Sequence, residues 1–399
     1  MSHSPPILIA GSGIGGASAA LALLKKGFDV EVYEQALELT EVGAGVQISP
    51  NGARSLDALG VFQELNALSC KPEKKQFRLW NTGRSWPMFD LGDAAMTSYG
   101  YPYLTVYRPD LLNVLVDGVR ALKPDAVHLG KRATGFSQDA DGVTLTLEDG
   151  STARGAALIG ADGVRSRIRE QMWGGAKPAF SGMITWRAVI PMERLPERLR
   201  AMVGNTWIGP GGHVVTYPLR GARLLNFVAT IERQDWREEG WNIPGTPEEC
   251  ARDFAGWHAD IHEIISCAPS LLKWALMGRD PMPAWTKERV TLLGDACHPT
   301  LPFLAQGAVM SIEDGVVMAR CVEAENGDLP AAFKRYEAAR IDRTRRMVLG
   351  ARDNTDRFHS SELGTEEGAQ VYLEREWGRA PIQERYHWLY QYQSDTVAI

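Results

Sequence analysis

Apolar and polar positions change rhythm several times along the chain, and each change marks an element. Ile7-Leu8-Ile9-Ala10 is a short unbroken apolar run, the pattern of a parallel strand buried on both faces. It stops at Gly11-Ser12-Gly13-Ile14-Gly15-Gly16, after which an Ala/Leu-rich helical pattern continues to about Lys26, with Gly27 placed as its C-cap. Val30-Glu31-Val32-Tyr33-Glu34 alternates and reads as a second strand, completing a βαβ opening. Short strands are expected at 126–129, 133–138 and 143–147, with turns at Asp141-Gly142 and Asp149-Gly150. The apolar run 156–160 returns toward the first sheet. Between about 180 and 280 the character shifts: Trp186, Trp207, Trp236, Trp241 and Trp257 gather there, and 213–217 and 224–231 alternate. That pattern predicts an antiparallel sheet against which an aromatic ligand can pack. A third return strand is expected at 290–294 and a helix at 307–322. The charged, aromatic tail beyond 350 carries no readable motif, and its rings could pack on their own domain or on a second subunit.

The first turn holds the first candidate chemistry. Gly11, Gly13 and Gly16 spell G-x-G-x-x-G directly after a strand and before a helix. One glycine permits the tight turn, one lets backbone approach a pyrophosphate, and one allows close helix–strand packing. Glu34 ends the second strand, where a carboxylate accepts hydrogen bonds from ribose hydroxyls. This predicts dinucleotide binding, but it does not tell FAD from NAD.

Composition narrows the class without naming it. With 44% hydrophobic and 23% charged residues over 399, the chain has the balance of a globular protein with a substantial core. A net charge of −6 gives no reason to expect nucleic acid, and an anionic substrate then needs a locally basic pocket. No apolar run approaches the ~18 residues that span a bilayer, and the first residues lack a secretory pattern. The cysteines, Cys70, Cys250, Cys267, Cys297 and Cys321, show no metal-ligand spacing and read as free thiols in a reducing cytoplasm.

Two later segments follow predicted strands: Gly160-Ala161-Asp162-Gly163-Val164-Arg165-Ser166-Arg167-Ile168-Arg169 and Gly294-Asp295-Ala296-Cys297-His298-Pro299. With the glycine fingerprint, in this order, they resemble the para-hydroxybenzoate hydroxylase-like (group A) FAD-dependent monooxygenases, over residues 7 to about 345. The resemblance implies an α/β fold in which a Rossmann-like FAD-binding domain (1–75, 100–180 and 280–345) interleaves with a substrate region on an antiparallel sheet (76–99 and 181–279). A C-terminal helical tail (346–399) completes it. Asp295 is then the ribityl-chain ligand, although by itself it also suits a helix N-cap. Asp162-Gly163 lies where flavin pyrophosphate and nicotinamide dinucleotide approach. Arg108 reaches the flavin phosphates, for which guanidinium geometry is suited, and the resemblance alone lifts it above a solvated helix-start arginine. Glu41-Val42-Gly43-Ala44-Gly45-Val46-Gln47 matches the mobile-flavin loop. Gln306, Gly307 and Ala308 open a helix whose positive end faces the flavin, and Pro302 lines the flavin and substrate pocket. Gly15 belongs to the same cofactor set.

Within the family the likeness is to salicylate hydroxylases, 3-hydroxybenzoate 6-hydroxylases and 6-hydroxynicotinate monooxygenases. It is carried by the 43–47 loop, Trp186-Arg187, Gly212-His213-Val214-Val215-Thr216-Tyr217-Pro218 and the Gly294–Pro299 segment. His213 and Tyr217, four apart on a strand, point to one face. The implied chemistry is NAD(P)H- and O₂-dependent ring hydroxylation through a flavin C4a-hydroperoxide. His213 is the candidate base for a phenol, Tyr217 orients the substrate, and His298 is the alternative base. Pro302 stands where some para-hydroxylating relatives have glutamine, and Gln47 where some pyridine hydroxylases have histidine. The expected substrate is a small aromatic carboxylate, 3-hydroxybenzoate ahead of salicylate, with decarboxylative hydroxylation of salicylate or 6-hydroxynicotinate as the alternative. NADH and NADPH are not distinguished, and a homodimer is compatible with the tail. Two rivals are an FAD-dependent reductase or oxidase and a non-catalytic binding protein on the same fold.

Overall fold

The computed structural model describes residues 5–39, 43–175, 178–235 and 243–399. A six-stranded sheet forms around the opening βαβ unit. Ile7–Ala10 lies between Val30–Tyr33 and Ala157–Gly160, parallel to both. Every residue of Ile7–Ala10 and Ala157–Gly160 is buried, because helices cover one face and the three-stranded sheet of Ala133–Gln138, Val143–Leu147 and Thr152–Gly155 covers the other, and so neither strand alternates. Val290–Leu292 continues the sheet beyond Ala157–Gly160, and Val127–His128 beyond Val30–Tyr33. The expected strands are present: 7–10, 133–138 and 143–147 keep their bounds, those expected at 30–34, 126–129, 156–160 and 290–294 are shorter by a residue or two, and those at 213–217 and 224–231 are longer. Gly294 leaves the last one with φ of 65° and opens a single helical turn.

Ile14–Lys25 packs on Gly307–Ala324, and this contact explains why the first helix is so rich in alanine. A Cβ on Gly315 would stand 2.7 Å from the Ala19 nitrogen, so the two helices meet backbone to backbone. Gly27 follows the first helix at φ of 83°, as the C-cap reading required.

The second sheet has eight strands, with Ala179–Pro191, Leu224–Glu232, Gly212–Leu219 and Val203–Gly209 at its centre. All pairings are antiparallel except Val203–Gly209 with Lys74–Leu79. One face buries Trp186, Trp207, Val214 and Phe227 against the helices Pro247–Asp253 and Ala259–Cys267. The other face carries His213, Val215 and Tyr217 toward the nucleotide-binding unit. Trp236 and Trp241 lie outside the described residues.

The tail departs from the expected division. Leu329–Phe358 is one continuous helix of 30 residues, so no break falls at 345/346. Its successors, Glu366–Trp377 and Arg379–Tyr390, pack on their own chain: Trp377 meets Phe77 with centroids 4.7 Å apart, and Tyr386 meets Phe89 at 4.8 Å. Among the described residues no helix is long and apolar enough to cross a membrane, and no cluster could hold a metal ion. All five cysteines are free.

Candidate active site

The glycine turn is built so tightly that only one of its faces is open. Gly11 has φ of 100°, and a Cβ there would lie 2.5 Å from the Ala161 carbonyl oxygen. At Gly16 a Cβ would lie 2.0 Å from the Gly11 oxygen. Gly13 has nothing within 4 Å of its own Cβ position, leaving room for a ligand at the start of the helix. Glu34 reaches back over this turn, its carboxylate accepting the Ser12 N–H at 2.7 Å and the Ala36 N–H at 2.9 Å.

The two later motifs converge on the same place. The Asp162 carboxylate accepts the Arg167 and Ile168 N–H groups at 2.7 and 3.2 Å, shaping the turn so that Gly163, at φ of 78°, faces the cavity. Arg169 ties both motifs together through the carbonyls of Val164 and Ala296. Asp295 lies in the cavity wall with Arg108; burial raises its pKa, while His298 and Arg108 pull it back down. Arg108 starts the helix Arg108–Leu122, and its N–H is held by the Ala44 carbonyl at 2.8 Å. The helix-start position and the cavity position are therefore one and the same.

Between the sheets lies a cavity of about 430 Å³. Its nucleotide side is lined by Gly13, Gly15, Gly45, Val46, Arg108, Gly163, Asp295, Gly307 and Ala308. Its far side is lined by Gln47, Lys75, Arg187, His213, Tyr217, Trp274, Pro302, Phe303 and Phe358. Gly45 joins the halves: its N–H donates to Asn226 Oδ1 at 2.7 Å, and a Cβ there would meet Tyr217 at 2.5 Å.

Five expected cofactor positions stay off this wall. Gly11 and Gly16 act through the backbone of the turn, and Glu34 and Asp162 are held by backbone N–H groups. Gln306 is also buried away from it, donating to Ser49 Oγ at 2.9 Å and accepting from Asn51 at 3.1 Å, so its side chain braces the helix start. His298 is paired with the buried Asp314 at 2.6 Å and has a structural place. Asp314 also takes the Gly294 N–H and, with Glu313, surrounds the buried Arg340. Of the 41–47 loop, Glu41 and Val42 lie outside the described residues.

The far side is electrically unusual. Lys75 points its ammonium at Gln47 Oε1, 3.3 Å away, and that oxygen also accepts the Tyr103 hydroxyl at 2.8 Å. Burial lowers the Lys75 pKa to about 8. His213 is pushed well below 6.5, first by burial and then by His359 and Lys75, so its ring is neutral. Burial raises the Tyr217 phenol, which stays protonated. Arg187 stacks on Trp274 at 4.8 Å. Lys75 carries no motif in the sequence; its strand is placed beside the cavity by pairing with Val203–Gly209 on one side and Ser85–Asp90 on the other.

These donors suit FAD. An open helix start and Arg108 would hold the pyrophosphate, Glu34 at the end of the second strand would take the ribose, and Asp295 and the Gly307 helix start would lie at the flavin end. A family model described as "FAD binding domain" matches residues 5–351. The 3-hydroxybenzoate 6-hydroxylase of Polaromonas naphthalenivorans strain CJ2 is 35% identical over 398 residues, covering 98% of this chain and 97% of its own. The 6-hydroxynicotinate 3-monooxygenase of Pseudomonas fluorescens is 38% identical over 360 residues, covering 89% and 92%. Among solved structures, Klebsiella pneumoniae HpxO complexed with FAD and uric acid superposes with a TM-score of 0.80 at 26% identity, covering 98% of this chain and 96% of that one.

Proposed function

The chain belongs to the FAD-binding-domain family of flavoprotein aromatic hydroxylases, and from that premise we propose that it hydroxylates the ring of a small phenolic acid, 3-hydroxybenzoate first. One observation carries the substrate reading: a half-buried, poorly solvated lysine and a neutral histidine share the cavity wall opposite the flavin side. Lys75 would take the carboxylate, whose charge compensates an ammonium otherwise held in a poorly solvating place. His213 would draw off the phenol proton, since a phenolate pushes more electron density into the ring than a phenol does. Tyr217, kept protonated, would donate a hydrogen bond that orients the substrate oxygen. Phe303, Phe358 and Trp274 exclude water from the ring. Bound FAD supplies electrons taken from NAD(P)H and activates O₂ for transfer to the ring carbon.

Gln47, held by Tyr103 and Lys75, stands where some pyridine-ring hydroxylases have histidine, and this supports a benzoate ahead of a hydroxypyridine acid. The test is a panel of hydroxybenzoates and hydroxypyridine carboxylates, scored for NAD(P)H consumption and for the position of the new hydroxyl. A flavin-loaded protein whose NAD(P)H oxidation is stimulated by none of them defeats the reading. Stimulation by 6-hydroxynicotinate with CO₂ release moves it to the decarboxylative alternative.

A further inference from the structure

The His213 ring does not end the hydrogen bonding at the cavity. His213 Nδ1 lies 2.7 Å from His359 Nε2, and His359 Nδ1 lies 2.9 Å from Glu232 Oε1. The first two rings are buried, whereas the Glu232 side chain is 52% exposed. His213 stands on Gly212–Leu219, Glu232 ends the neighbouring strand Leu224–Glu232, and His359 follows the long helix Leu329–Phe358. The row therefore runs from the cavity wall to the surface. Two backbone bonds hold it, Gly211 N–H to the His359 carbonyl at 3.2 Å and Glu232 N–H to the Gly211 carbonyl at 2.9 Å.

This order of partners dictates the protons. A carboxylate can only accept, so His359 must carry its hydrogen on Nδ1 and leave Nε2 with a lone pair. His213 must then donate from Nδ1, which leaves its own Nε2 lone pair for a ligand in the cavity. The exposed glutamate thus sets the buried histidine in the tautomer of a base.

We propose that His213, His359 and Glu232 form a proton relay, carrying the substrate's phenol proton to bulk water and returning it when turnover ends. The proposal rests on the phenolic-acid reading above. Outward, the O–H bond of the phenol breaks and an N–H bond forms at His213 Nε2. The His213 Nδ1 proton passes to His359 Nε2, and the His359 Nδ1 proton passes to Glu232 and water. Both rings now hold their hydrogen on Nε2. Once the ring has been hydroxylated, the same steps in reverse restore the O–H of the product and both starting tautomers, so no net proton is gained or lost along the relay.

Charges around the row favour passage over storage. Lys75, on Lys74–Leu79, faces His213 and opposes a lasting imidazolium there. Burial lowers the His359 pKa as well, with Glu232 and Asp356 working against it, so neither ring holds a lasting charge and the carboxylates lie at the outer end. Phe303 and Phe358 pack their rings on His213, with centroids 4.9 and 5.2 Å away, and exclude water from its flanks.

The test uses flavin-loaded enzyme with a pH-indicator dye in stopped flow, mixed with whichever hydroxybenzoate stimulates NAD(P)H oxidation. Glu232→Gln keeps an acceptor oxygen, and His359→Gln keeps a bridging group, so both should fold. Each should slow proton release and hydroxylation about a hundredfold, while substrate Kd, read from flavin absorbance, stays near the parent's. Glu232→Asp should recover part of the rate, as a merely structural contact would not require. Proton release at the parent's rate in both glutamine variants overturns the relay. A second arm needs no substrate: ¹⁵N NMR of the oxidised holoenzyme should find both rings protonated at Nδ1. A proton on His213 Nε2 overturns the relay, whereas a silent substrate panel overturns only the phenolic-acid reading.

Discussion

Replacing Lys75 with methionine tests the substrate assignment most directly, because the structure supplies both a sign and a size. The lysine's pKa falls from 10.5 to about 8 through burial, which is worth roughly 3 kcal/mol of lost solvation for the charged form. Two consequences follow with opposite signs. Stability carries this cost in full below pH 8, and the cost fades as pH rises toward 10.5, where the unfolded lysine also loses its proton. Lys75→Met should therefore raise Tm of the flavin-loaded protein at pH 7, with a smaller gain above pH 10. Binding moves the other way. A carboxylate in the cavity restores the ammonium's partner, and a hydrogen-bonded charge pair is worth about 1.5–3 kcal/mol. Substrate Kd should thus weaken roughly ten- to hundredfold in the variant. In the parent, Kd should hold steady below pH 8 and rise about tenfold per pH unit above it as the free amine loses its proton. Flavin absorbance titrations from pH 6.5 to 9.5, with a phenol lacking the carboxylate as control, read all of this. A flat Kd in the parent, or equal carboxylate affinity in Lys75→Met, would refute the reasoning.

Asp295→Ala should weaken FAD binding about ten- to hundredfold, the worth of a hydrogen bond to a charged group; a fully flavin-loaded variant after gel filtration contradicts this. Gly45→Ala places a Cβ 2.5 Å from Tyr217 and 2.7 Å from Asn226, and overpacking of this kind costs about 1–3 kcal/mol. The expected result is roughly tenfold weaker flavin retention and poorer yield of product per NAD(P)H, and an unchanged yield with unchanged retention counts against it. Arg340→Met leaves Glu313 and Asp314, which lie 2.8 and 2.7 Å from the guanidinium, buried with less compensation. Loss of roughly 3–5 kcal/mol is expected in a denaturant titration, and parent-like stability means that the neighbouring Arg343 and His298 suffice.

The nucleotide half of the fold was legible because its signals are local. A buried apolar strand, a glycine turn and an alanine-rich helix lie within Ile7–Lys25, and each has one physical meaning. The strand carrying His213 and Tyr217 was legible for a similar reason, since alternation alone places both on one face. The rest of the site depends on contacts between distant segments. Lys75 looks like any surface lysine in Lys71-Pro72-Glu73-Lys74-Lys75, and it is pairing with distant segments, Gly204 on one side and Phe89 on the other, that sets it in the sheet beside the cavity. Gln306, read beside the glycines of its helix start, turns instead toward Ser49, because Asn51 and Glu313 build a polar cluster on that side.

The tail shows most clearly why spacing fails where packing decides. Its aromatic residues, unreadable as a motif, fill the sheet face beside Phe77 and Phe89, and in doing so they fix the end of the long helix. That end is Phe358-His359, one ring against the cavity and the next bonded to His213. A histidine 146 positions away from His213 offers no periodicity and no motif. Yet the tautomer of the candidate base depends on it, and through it on a glutamate at the surface. Mutations that loosen the tail helices at Trp377 or Tyr386 should for this reason impair proton transfer before they impair flavin binding, since Asp295 and the glycine turn are anchored to the other sheet.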